Sequence, residues 1–479
     1  MIEDQLRNIR GLYYRSPQWF KNLTGGAYAR LPIDWRLGKS YKVFRELLTE
    51  SQHWKPQEIM DYQYAELRHT LELAYEKIPY YRRRFTDYGV SPSDFKAPED
   101  LVRFPTLTKS EVKENYHDLI NPDIHKMKHL VTTTGGSTAE PMRFLQVKGL
   151  TRSKERAFIH AGWSRAGYEP GMKAVQIKGR SVGNPSQKCF WEYEPIQNIL
   201  EMDSNYLTPE NIPLYLDAIR KSSASFIIAF PSSIYLLAKF IKQNNIDFPP
   251  LQAIFLASEN VYPWQREYLK ETFGCRVFSH YGHSEMVLLG MEARRSHDLR
   301  FFPEYGYLEI LGIDDTPLAA VAAQGELVGT SFHNDLMPFI RYRTQDVGVV
   351  GGPDPDGGHY PVLSDVEGRL QEFIVTRDNR LISICTMGAA HFDVLDKVHE
   401  TQYRQEVAGK IEFLVVPKVN YTAEDRERIR RAVSDKTGPN LEVEVREVES
   451  IQRTKSGKHM MLVQKLPLTV LDGSQDLVL

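Results

Sequence analysis

Between residues 174 and 280 the sequence alternates between apolar strands and amphipathic helices, and this alternation restricts the possible folds more than any other feature. Four short apolar runs have the length and composition of buried strands: residues 174–178, 226–230, 253–257 and 276–280. Three helices are predicted between them: 208–222 with Thr208 as N-cap, 233–244, and 264–273 ended by Gly274. This rhythm predicts an α/β fold with a doubly wound, mostly parallel sheet.

Two polar loops follow strands of the predicted sheet. One comprises residues 257–260 and the other residues 281–285. Ligands of doubly wound sheets bind beyond the carboxyl ends of the strands. We therefore expect the ligand site of this chain at these two loops.

Composition narrows the function classes. Hydrophobic residues make up 42% and charged residues 25% of the chain, and the net charge of −2 gives no electrostatic reason to expect nucleic acid or an anionic membrane as a partner. No apolar run approaches the roughly 20 residues of a membrane helix, and the N-terminal residues lack the apolar core of a secretion signal. Cys189, Cys275 and Cys385 form no paired pattern, which favours reduced thiols in a soluble, cytoplasmic protein.

Three regions are predicted along the chain. Residues 1–100 are amphipathic and largely helical, because apolar residues recur every three or four positions until Pro79 interrupts them. Residues 101–368 form the large ligand-binding domain. Residues 369–479 form a small α+β domain, with strands at 411–416 and 441–448 and a helix at 424–436.

The first segment that indicates chemistry is a run of hydroxyl and glycine residues: Thr133, Thr134, Gly135, Gly136, Ser137 and Thr138. Small residues let backbone N–H groups approach an anion, and hydroxyls add donors, as a phosphate site requires. The run is not a Walker A loop, since no Gly-Lys-Ser/Thr follows. Taken alone, a surface loop without function explains it equally well.

The second segment, residues 281–285, ends in Glu285, a carboxylate placed beyond a strand end where it can hold Mg²⁺ against nucleotide phosphates. Three other interpretations are open for this segment alone. It nearly matches the G-x-S-x-G hydrolase turn but lacks the last glycine. His280 and His283 suggest zinc, but further ligands at a suitable spacing are missing. The segment is otherwise a structural turn.

Three further polar residues lie in the second half of the chain. Asp346 follows a polar turn and is either a solvated loop residue or an acceptor for ribose hydroxyls. Arg369 follows Gly368 at the predicted domain boundary. Lys458 ends the basic loop 453–458, which is either a solvated surface or a flexible carrier that delivers a lysine to an anion.

In their order along the chain, these segments resemble the adenylate-forming superfamily of acyl-CoA synthetases. The resemblance is closest to its phenylacetate-CoA ligase-like branch, with the CapK-like and coenzyme F390 synthetase relatives, and covers residues 60–465. It rests on these motifs of the branch: T-S-G-S-T-G-x-P at residues 134–141, Y-G-x-S-E at 281–285, G-E-L-V-x-T at 325–330, M-P-x-I-R-Y-x-T-x-D at 337–346, G-R at 368–369 and R-T-x-S-G-K at 453–458. The implied fold is a large N-terminal adenylate-forming domain with a small mobile C-terminal domain.

The resemblance implies that the chain uses ATP and Mg²⁺ to activate a carboxylic acid as its acyl-adenylate, with release of pyrophosphate. The implied nucleotide-binding residues are the 133–138 loop for the phosphates, Ser258 and Glu259 beside adenine, Tyr281, Gly282 and Ser284 around the nucleotide, Asp346 for the ribose, and Glu285 for Mg²⁺. Lys458 would be the catalytic cation that reduces repulsion between the two anionic reactants. Arg369 would assist at the ribose and lie at the hinge of the small domain.

The acid itself is expected between the N-terminal helices and the sheet, with Phe230, Ser232, Tyr235 and Tyr281 as candidate pocket residues. CoA is the favoured acyl acceptor, and transfer of the acyl or adenylyl group to an amine or hydroxyl is the alternative. A nucleotide-binding protein without turnover is the remote alternative. Relatives indicate a homodimer, and no zinc is expected because the residues around Ala293 offer no cysteines.

The phosphate loop departs from the motifs of the branch at two positions. Gly135 replaces the usual Ser and Ala139 the usual Gly, so the loop loses a hydroxyl donor and gains a Cβ. These two changes are the reason to consider a protein that has lost turnover. Gln345 also stands where Gly is common in the wider superfamily.

Overall fold

The computed structural model describes Tyr13 and residues 16–133, 142–178, 182–312, 314–369, 373–377, 381–383, 397–453 and 459–466. Its α-helices are α1 (Gln18–Ala29), α2 (Ile33–Ser51), α3 (Pro56–Lys77), α4 (Pro79–Asp87), α5 (Lys109–Glu114), α6 (Thr151–Trp163), α7 (Ile212–Ser222), α8 (Pro231–Gln243), α9 (Pro263–Phe273) and α10 (Ala423–Thr437). Short 3₁₀ helices occur at Pro92–Asp94, Pro98–Arg103, Pro122–Lys126, Ser164–Ala166, Pro185–Gln187 and Ser204–Tyr206. Within these described ranges no helix has the length and apolar character needed to cross a bilayer.

The strands are β1 (His129–Thr133), β2 (Arg143–Val147), β3 (Ala174–Lys178), β4 (Trp191–Glu194), β5 (Ile199–Asp203), β6 (Phe226–Ala229), β7 (Ala253–Leu256), β8 (Arg276–Gly282), β9 (Leu289–Glu292), β10 (Leu299–Phe301), β11 (Gly306–Leu311), β12 (Gln324–Ser331), β13 (Tyr342–Val350), β14 (Val362–Arg369), β15 (Phe373–Val375), β16 (Leu381–Ser383), β17 (Val398–Val407), β18 (Lys410–Pro417), β19 (Glu442–Glu447) and β20 (Leu462–Gln464). Twelve of them form one sheet in the order β11-β12-β13-β14-β10-β9-β8-β7-β6-β3-β5-β4. A four-stranded sheet, β19-β18-β17-β20, carries the C-terminal module.

The α/β class predicted from the alternation is confirmed, and the parallel pairing lies where the helices alternate with strands. Strands β5, β3, β6, β7 and β8 pair in parallel. From β8 onward the strands β9, β10, β14, β13, β12 and β11 pair antiparallel. No α-helix connects these later strands among the described residues, and antiparallel strands need no crossover helix.

Both faces of the parallel strands are buried, as a doubly wound sheet requires. On β6, Ile227 joins the core under helices α7, α8 and α9, whereas Phe226 and Ile228 join a second cluster on the opposite face. On that second face the ring of Trp163, from the end of α6, stacks on Phe255 with ring centroids 4.8 Å apart. Alternate residues of one strand therefore pack against helices on opposite sides.

The predicted helix start at Thr208 is wrong. Helix α7 begins at Ile212 with Asn211 as its N-cap, and residues before it form a turn in which the Ile212 amide donates to the Thr208 carbonyl at 2.9 Å. Pro213 lies in the first turn of the helix and presets its backbone there. The predicted end of the helix over residues 264–273 is confirmed, because α9 ends at Phe273 and Gly274 follows it with a φ of 61°.

The N-terminal helices pack on the antiparallel half of the sheet. Leu67 and Leu71 of α3 share a buried cluster with Phe301 of β10 and Leu363 of β14. Pro79 separates α3 from α4, as predicted, and is the first residue of the second helix. The predicted domain limits 1–100, 101–368 and 369–479 stay predictions.

Candidate functional site

Two of the sequence segments exchange tyrosine–carboxylate hydrogen bonds. The Tyr281 hydroxyl donates to Asp346 Oδ2 at 2.7 Å, and the Tyr342 hydroxyl donates to Glu285 Oε1 at 3.0 Å. Each segment thus supplies a donor to the acid of the other. In the sheet order three strands lie between β8 and β13, so these two strands would be about 19 Å apart in a flat sheet. The antiparallel half must therefore curve to bring these two strand ends together.

Glu285 is a largely buried carboxylate that remains ionised. Burial by itself raises its pKa, but the hydrogen bond and electrostatic interaction with His283, together with the Tyr342 hydroxyl, outweigh this and lower the pKa to about 2. His283 Nδ1 lies 3.3 Å from Glu285 Oε2. The other ring nitrogen of His283, Nε2, is buried and has no hydrogen-bond partner in the described part of the chain.

Asp346 lies in the middle of β13, beside the predicted hinge. Its backbone amide donates to Thr344 Oγ1 at 3.1 Å, and its Cα pairs with that of Arg369 on β14. Burial and the charge of Asp346 hold the pKa of Tyr281 well above its usual value, so Tyr281 stays a hydrogen-bond donor. The backbone of Arg369 is thus brought next to Asp346, while its side chain lies outside the described residues.

One of the two strands that flank the predicted phosphate loop also contacts this site. Thr133, the last residue of β1, pairs with Arg143 at the start of β2. Gln146 of β2 donates through Nε2 to the Ser284 carbonyl at 3.4 Å. The loop residues Thr134, Gly135, Gly136, Ser137 and Thr138, and the Thr133 side chain, lie outside the described residues. The structure therefore places the two strands that flank the loop, and one of them, β2, lies next to the Tyr281–Glu285 segment.

Glu259 lies at a second point, where the large domain meets the C-terminal module. Its Oε2 accepts the Ser232 amide at 2.9 Å, and its Oε1 accepts the Ser232 hydroxyl at 3.0 Å and the His459 amide at 3.1 Å. Burial raises the pKa of Glu259, and these donors and the charge of Arg453 act against the rise without cancelling it. Lys458 and residues 454–457 lie outside the described residues, but His459 follows Lys458 directly in sequence.

Several non-glycine residues at these strand ends have left-handed backbone. The φ angles are 72° at Ser258, 56° at Met286, 47° at Arg341 and 63° at Gln345. Such conformations are costly for residues with a Cβ, and they concentrate at functional sites. Gln345 has a backbone conformation that favours glycine. Ser258 is exposed, and Gly282 is the exposed last residue of β8.

The candidate acid-pocket residues are not brought together in one place. Ser232 and Tyr235 line a cavity of about 60 Å³ whose other side is formed by the C-terminal module, including Glu400 and His459. Tyr235 packs edge-on against Trp264 with ring centroids 5.1 Å apart. Tyr281 instead contacts Asp346, as described above. Phe230 is buried before α8, and its amide donates to the Ile177 carbonyl at 3.2 Å.

Sequence reasoning missed four contributors to the site: Tyr342, Gln146, His459, and His283 in its role beside Glu285. Tyr342 and His283 both lie inside the motifs at 337–346 and 281–285, and this location could have marked them as site residues. Gln146 and His459 lie outside any motif, and only the fold reveals their contacts.

The prediction of a Mg²⁺ site rests on a single carboxylate, that of Glu285. Among the described residues no three His, Cys, Asp or Glu side chains come together in a way that could enclose a metal ion. Mg²⁺ does not need such an enclosure, because it is usually held by one or two carboxylates, water and substrate phosphates. The ionised Glu285 fits this arrangement, since two donors leave free lone pairs on its two oxygens. The absence of zinc stays a prediction.

The fold is that of the adenylate-forming enzymes. A crystal structure of 2-hydroxyisobutyryl-CoA ligase in the postadenylation state, in complex with R3-HIB-AMP, superimposes with a TM-score of 0.69 at 18% identity, covering 87% of this chain and 91% of that one. Residues 374–465 match the CapK C-terminal domain family.

In sequence, the chain is related to phenylacetate-coenzyme A ligases, as the motifs predicted. The ligase of Pseudomonas putida is 26% identical over 299 residues, which are 60% of this chain and 66% of that ligase. The ligase of Aromatoleum evansii is 23% identical over 435 residues, which are 86% of this chain and 95% of that ligase. The resemblance to the adenylate-forming superfamily and its phenylacetate-CoA ligase-like branch is therefore confirmed.

Proposed function

We propose that this protein uses ATP to activate a carboxylic acid as its acyl-adenylate, releases pyrophosphate, and then transfers the acyl group to the thiol of CoA with release of AMP. The observation that carries the proposal is the exchange of hydrogen bonds between the 281–285 and 342–346 segments. These bonds link the segments that carry the two acids, and we assign Glu285 to a metal-bound phosphate and Asp346 to a ribose. The kinship with phenylacetate-CoA ligases supports the same reaction.

In this proposal the residues of the chain position two anions that repel each other. Asp346 accepts the ribose hydroxyls, with its carboxylate oriented by Tyr281 and the backbone of Arg369 beside it. Glu285 would hold Mg²⁺, which would neutralise phosphate charge. The 133–138 loop donates to the phosphates. Ser258, Gly282 and Ser284 border the nucleotide, and His283 Nε2 is available to a ligand oxygen.

Lys458 is the proposed catalytic cation, reaching both the acid carboxylate and the α-phosphate. Attack of the carboxylate on the α-phosphorus breaks the bond to pyrophosphate, which leaves with its electron pair. A fixed positive charge stabilises the charge that develops on the transferred group. Arg369 assists at the ribose and lies at the hinge about which the small domain turns for the second step.

Transfer to an amine or hydroxyl instead of CoA is the second candidate. The match of residues 374–465 to the CapK C-terminal domain favours it, because the module that would meet the acceptor belongs to that family. The cytoplasmic location, the homodimer, the pocket residues Phe230, Ser232, Tyr235 and Tyr281, and the three domain limits remain predictions.

The proposal is tested by pyrophosphate release from ATP and Mg²⁺ with a panel of carboxylic acids. Replacing Lys458→Ala should lower the acid-dependent rate by at least ~10². The matched control is Lys465→Ala, since Lys465 is an exposed lysine of the same module that pairs with Glu406. An undiminished rate in Lys458→Ala would contradict the assignment. Adding CoA, or an amine, and identifying the product by mass spectrometry separates the two candidate acceptors.

A further inference from the structure

The N-terminus of helix α8 lies next to the carboxylate of Glu259, which belongs to the loop that follows β7. The Ser232 amide is one of the donors that lack a partner within a helix, and Glu259 accepts it together with the Ser232 hydroxyl. A negative charge at this end is also favoured by the helix dipole. Glu259 is therefore fixed in place by the large domain before the C-terminal module contributes anything.

One acceptor position of the fixed carboxylate is taken by the C-terminal module. The amide that donates to Glu259 Oε1 belongs to His459, and it is the nitrogen of the peptide bond that joins His459 to Lys458. This contact reaches from the large domain to the residue next to the proposed catalytic lysine.

The same segment is anchored to its own module on both sides of residues 454–458. Arg453 Nη2 lies 2.9 Å from Glu400 Oε1. Beyond His459, the Met460 carbonyl accepts from Gln402 Nε2 at 2.9 Å, and the Met461 carbonyl accepts from the Tyr403 amide at 2.7 Å. Both anchors are in β17, so they move with the module. Among these contacts of the segment, the bond to Glu259 alone links it to the large domain.

We propose that Glu259 is a positioning residue that fastens the Lys458-bearing segment to the N-terminus of α8 for acid activation. This inference rests on the proposed function of Lys458. Three donors already occupy the Glu259 carboxylate, which has about four acceptor positions. Its main role is therefore to hold the segment, and not to contact adenine.

The test compares Glu259→Ala, Glu259→Gln and Ser232→Ala in the full-length chain. Glu259→Ala should lower kcat for acid-dependent pyrophosphate release about tenfold and leave KM for ATP unchanged, because the lost contact acts on the lysine segment. Glu259→Gln should recover part of the rate, since its amide oxygen can still accept the His459 amide. Ser232→Ala should have a smaller effect in the same direction.

A second readout needs no substrate. Trypsin cleaves after lysine, and the bond after Lys458 contains the amide held by Glu259. Limited proteolysis followed by mass spectrometry should show cleavage after Lys458 about tenfold faster in Glu259→Ala than in the natural chain. Cleavage after Lys465 serves as the internal reference. Glu271→Ala is the matched control, because Glu271 pairs with Lys242 near the other end of α8.

The outcomes separate this inference from the proposed function. If no acid is activated by the natural chain, the proposed function fails, and proteolysis still decides whether Glu259 holds the segment. Unchanged cleavage after Lys458 in all three variants would overturn the inference. A raised KM for ATP with unchanged kcat and cleavage would also overturn it, since that result assigns Glu259 to adenine. If Glu259→Ala fails to fold, Glu259→Gln and Ser232→Ala decide the question.

Discussion

Glu259 and Glu285 follow neighbouring parallel strands, β7 and β8, yet their surroundings shift the pKa of each in opposite directions. Burial acts on both carboxyls and raises the pKa of both. At Glu285 the interaction with His283 and the Tyr342 hydroxyl outweighs burial, and the pKa falls to about 2. At Glu259 the partners are two amides and a serine hydroxyl, and the pKa stays raised.

The difference shows how one sheet edge can provide two kinds of carboxylate. Glu285 is surrounded by side chains of its own domain, and its negative charge is secured before any ligand arrives. Glu259 receives one of its three donors from the C-terminal module, so its environment depends on where that module lies. We interpret the first as a fixed charge for a metal and the second as a contact that can be made and broken.

The largest expected effect comes from neutralising the fixed charge. Glu285→Gln should lower acid-dependent pyrophosphate release by roughly 10² or more, because the Mg²⁺ that would neutralise the phosphates loses its anionic ligand. Glu259→Gln should cost tenfold at most. Rates measured over a range of Mg²⁺ concentrations test this, since only Glu285→Gln should raise the Mg²⁺ requirement. Equal losses in both variants would remove the distinction between the two acids.

The next effect is on stability as a function of pH, and it has opposite signs at the two acids. The pKa of Glu285 is lowered from 4.5 to about 2, so its contribution of about 3 kcal/mol is present above pH 4.5 and is lost as the pH falls towards 2. The pKa of Glu259 is raised, so its contribution is present below pH 4.5 and is lost as the pH rises through the raised value.

Urea unfolding without Mg²⁺ measures both effects. The unfolding free energy of the natural chain should decline relative to Glu285→Gln as the pH falls below 4.5. Relative to Glu259→Gln it should instead decline as the pH rises above 4.5. Slopes of the same sign for both variants would contradict the assigned environments.

A smaller kinetic effect should distinguish Tyr281 from Tyr342, the two tyrosines that link the 281–285 and 342–346 segments. Tyr342→Phe should lower kcat about tenfold, because Glu285 loses a donor to its ionised form. Tyr281→Phe should instead raise KM for ATP about tenfold, because Asp346 loses the donor that orients it towards the ribose. Tyr215→Phe is the control, since its buried hydroxyl donates to the Asp203 carbonyl away from the site. Identical kinetic changes in the first two variants would argue against separate roles.

The smallest effect concerns the strained backbone. Gln345→Gly should raise the unfolding free energy by less than about 1 kcal/mol, because relief of the left-handed conformation slightly exceeds the added freedom of the unfolded chain. Gln176→Gly, within β3, should destabilise instead. Urea unfolding at neutral pH measures both. A destabilised Gln345→Gly would show that the Gln345 side chain contributes more than its backbone costs.

The sequence predicted most of the parallel half of the fold, because its signals are local. Short apolar runs and the helices between them gave β3, β6, β7 and β8 to within two residues at either end. Thr208 was a misleading N-cap, since Asn211 and Pro213 provide a competing start one turn later. The antiparallel half was not predicted, because strand pairing depends on partners that are distant in sequence.

Within the site, the motifs identified residue types but not their contacts. Glu285 and Asp346 were recognised separately, and the bonds that join their segments depend on the curvature of the sheet. The contact between Glu259 and His459 depends on where a second module lies. No periodicity or spacing in the sequence records that position.

The reciprocal bonds between Tyr281 and Asp346 and between Tyr342 and Glu285 have a consequence for redesign of this enzyme. A segment transplanted alone into a related scaffold would carry a tyrosine without its acid and an acid without its tyrosine. Both segments would have to be exchanged together, along with the strand curvature that lets them meet. The two segments therefore have to change together, because a substitution in one limits which substitutions the other tolerates.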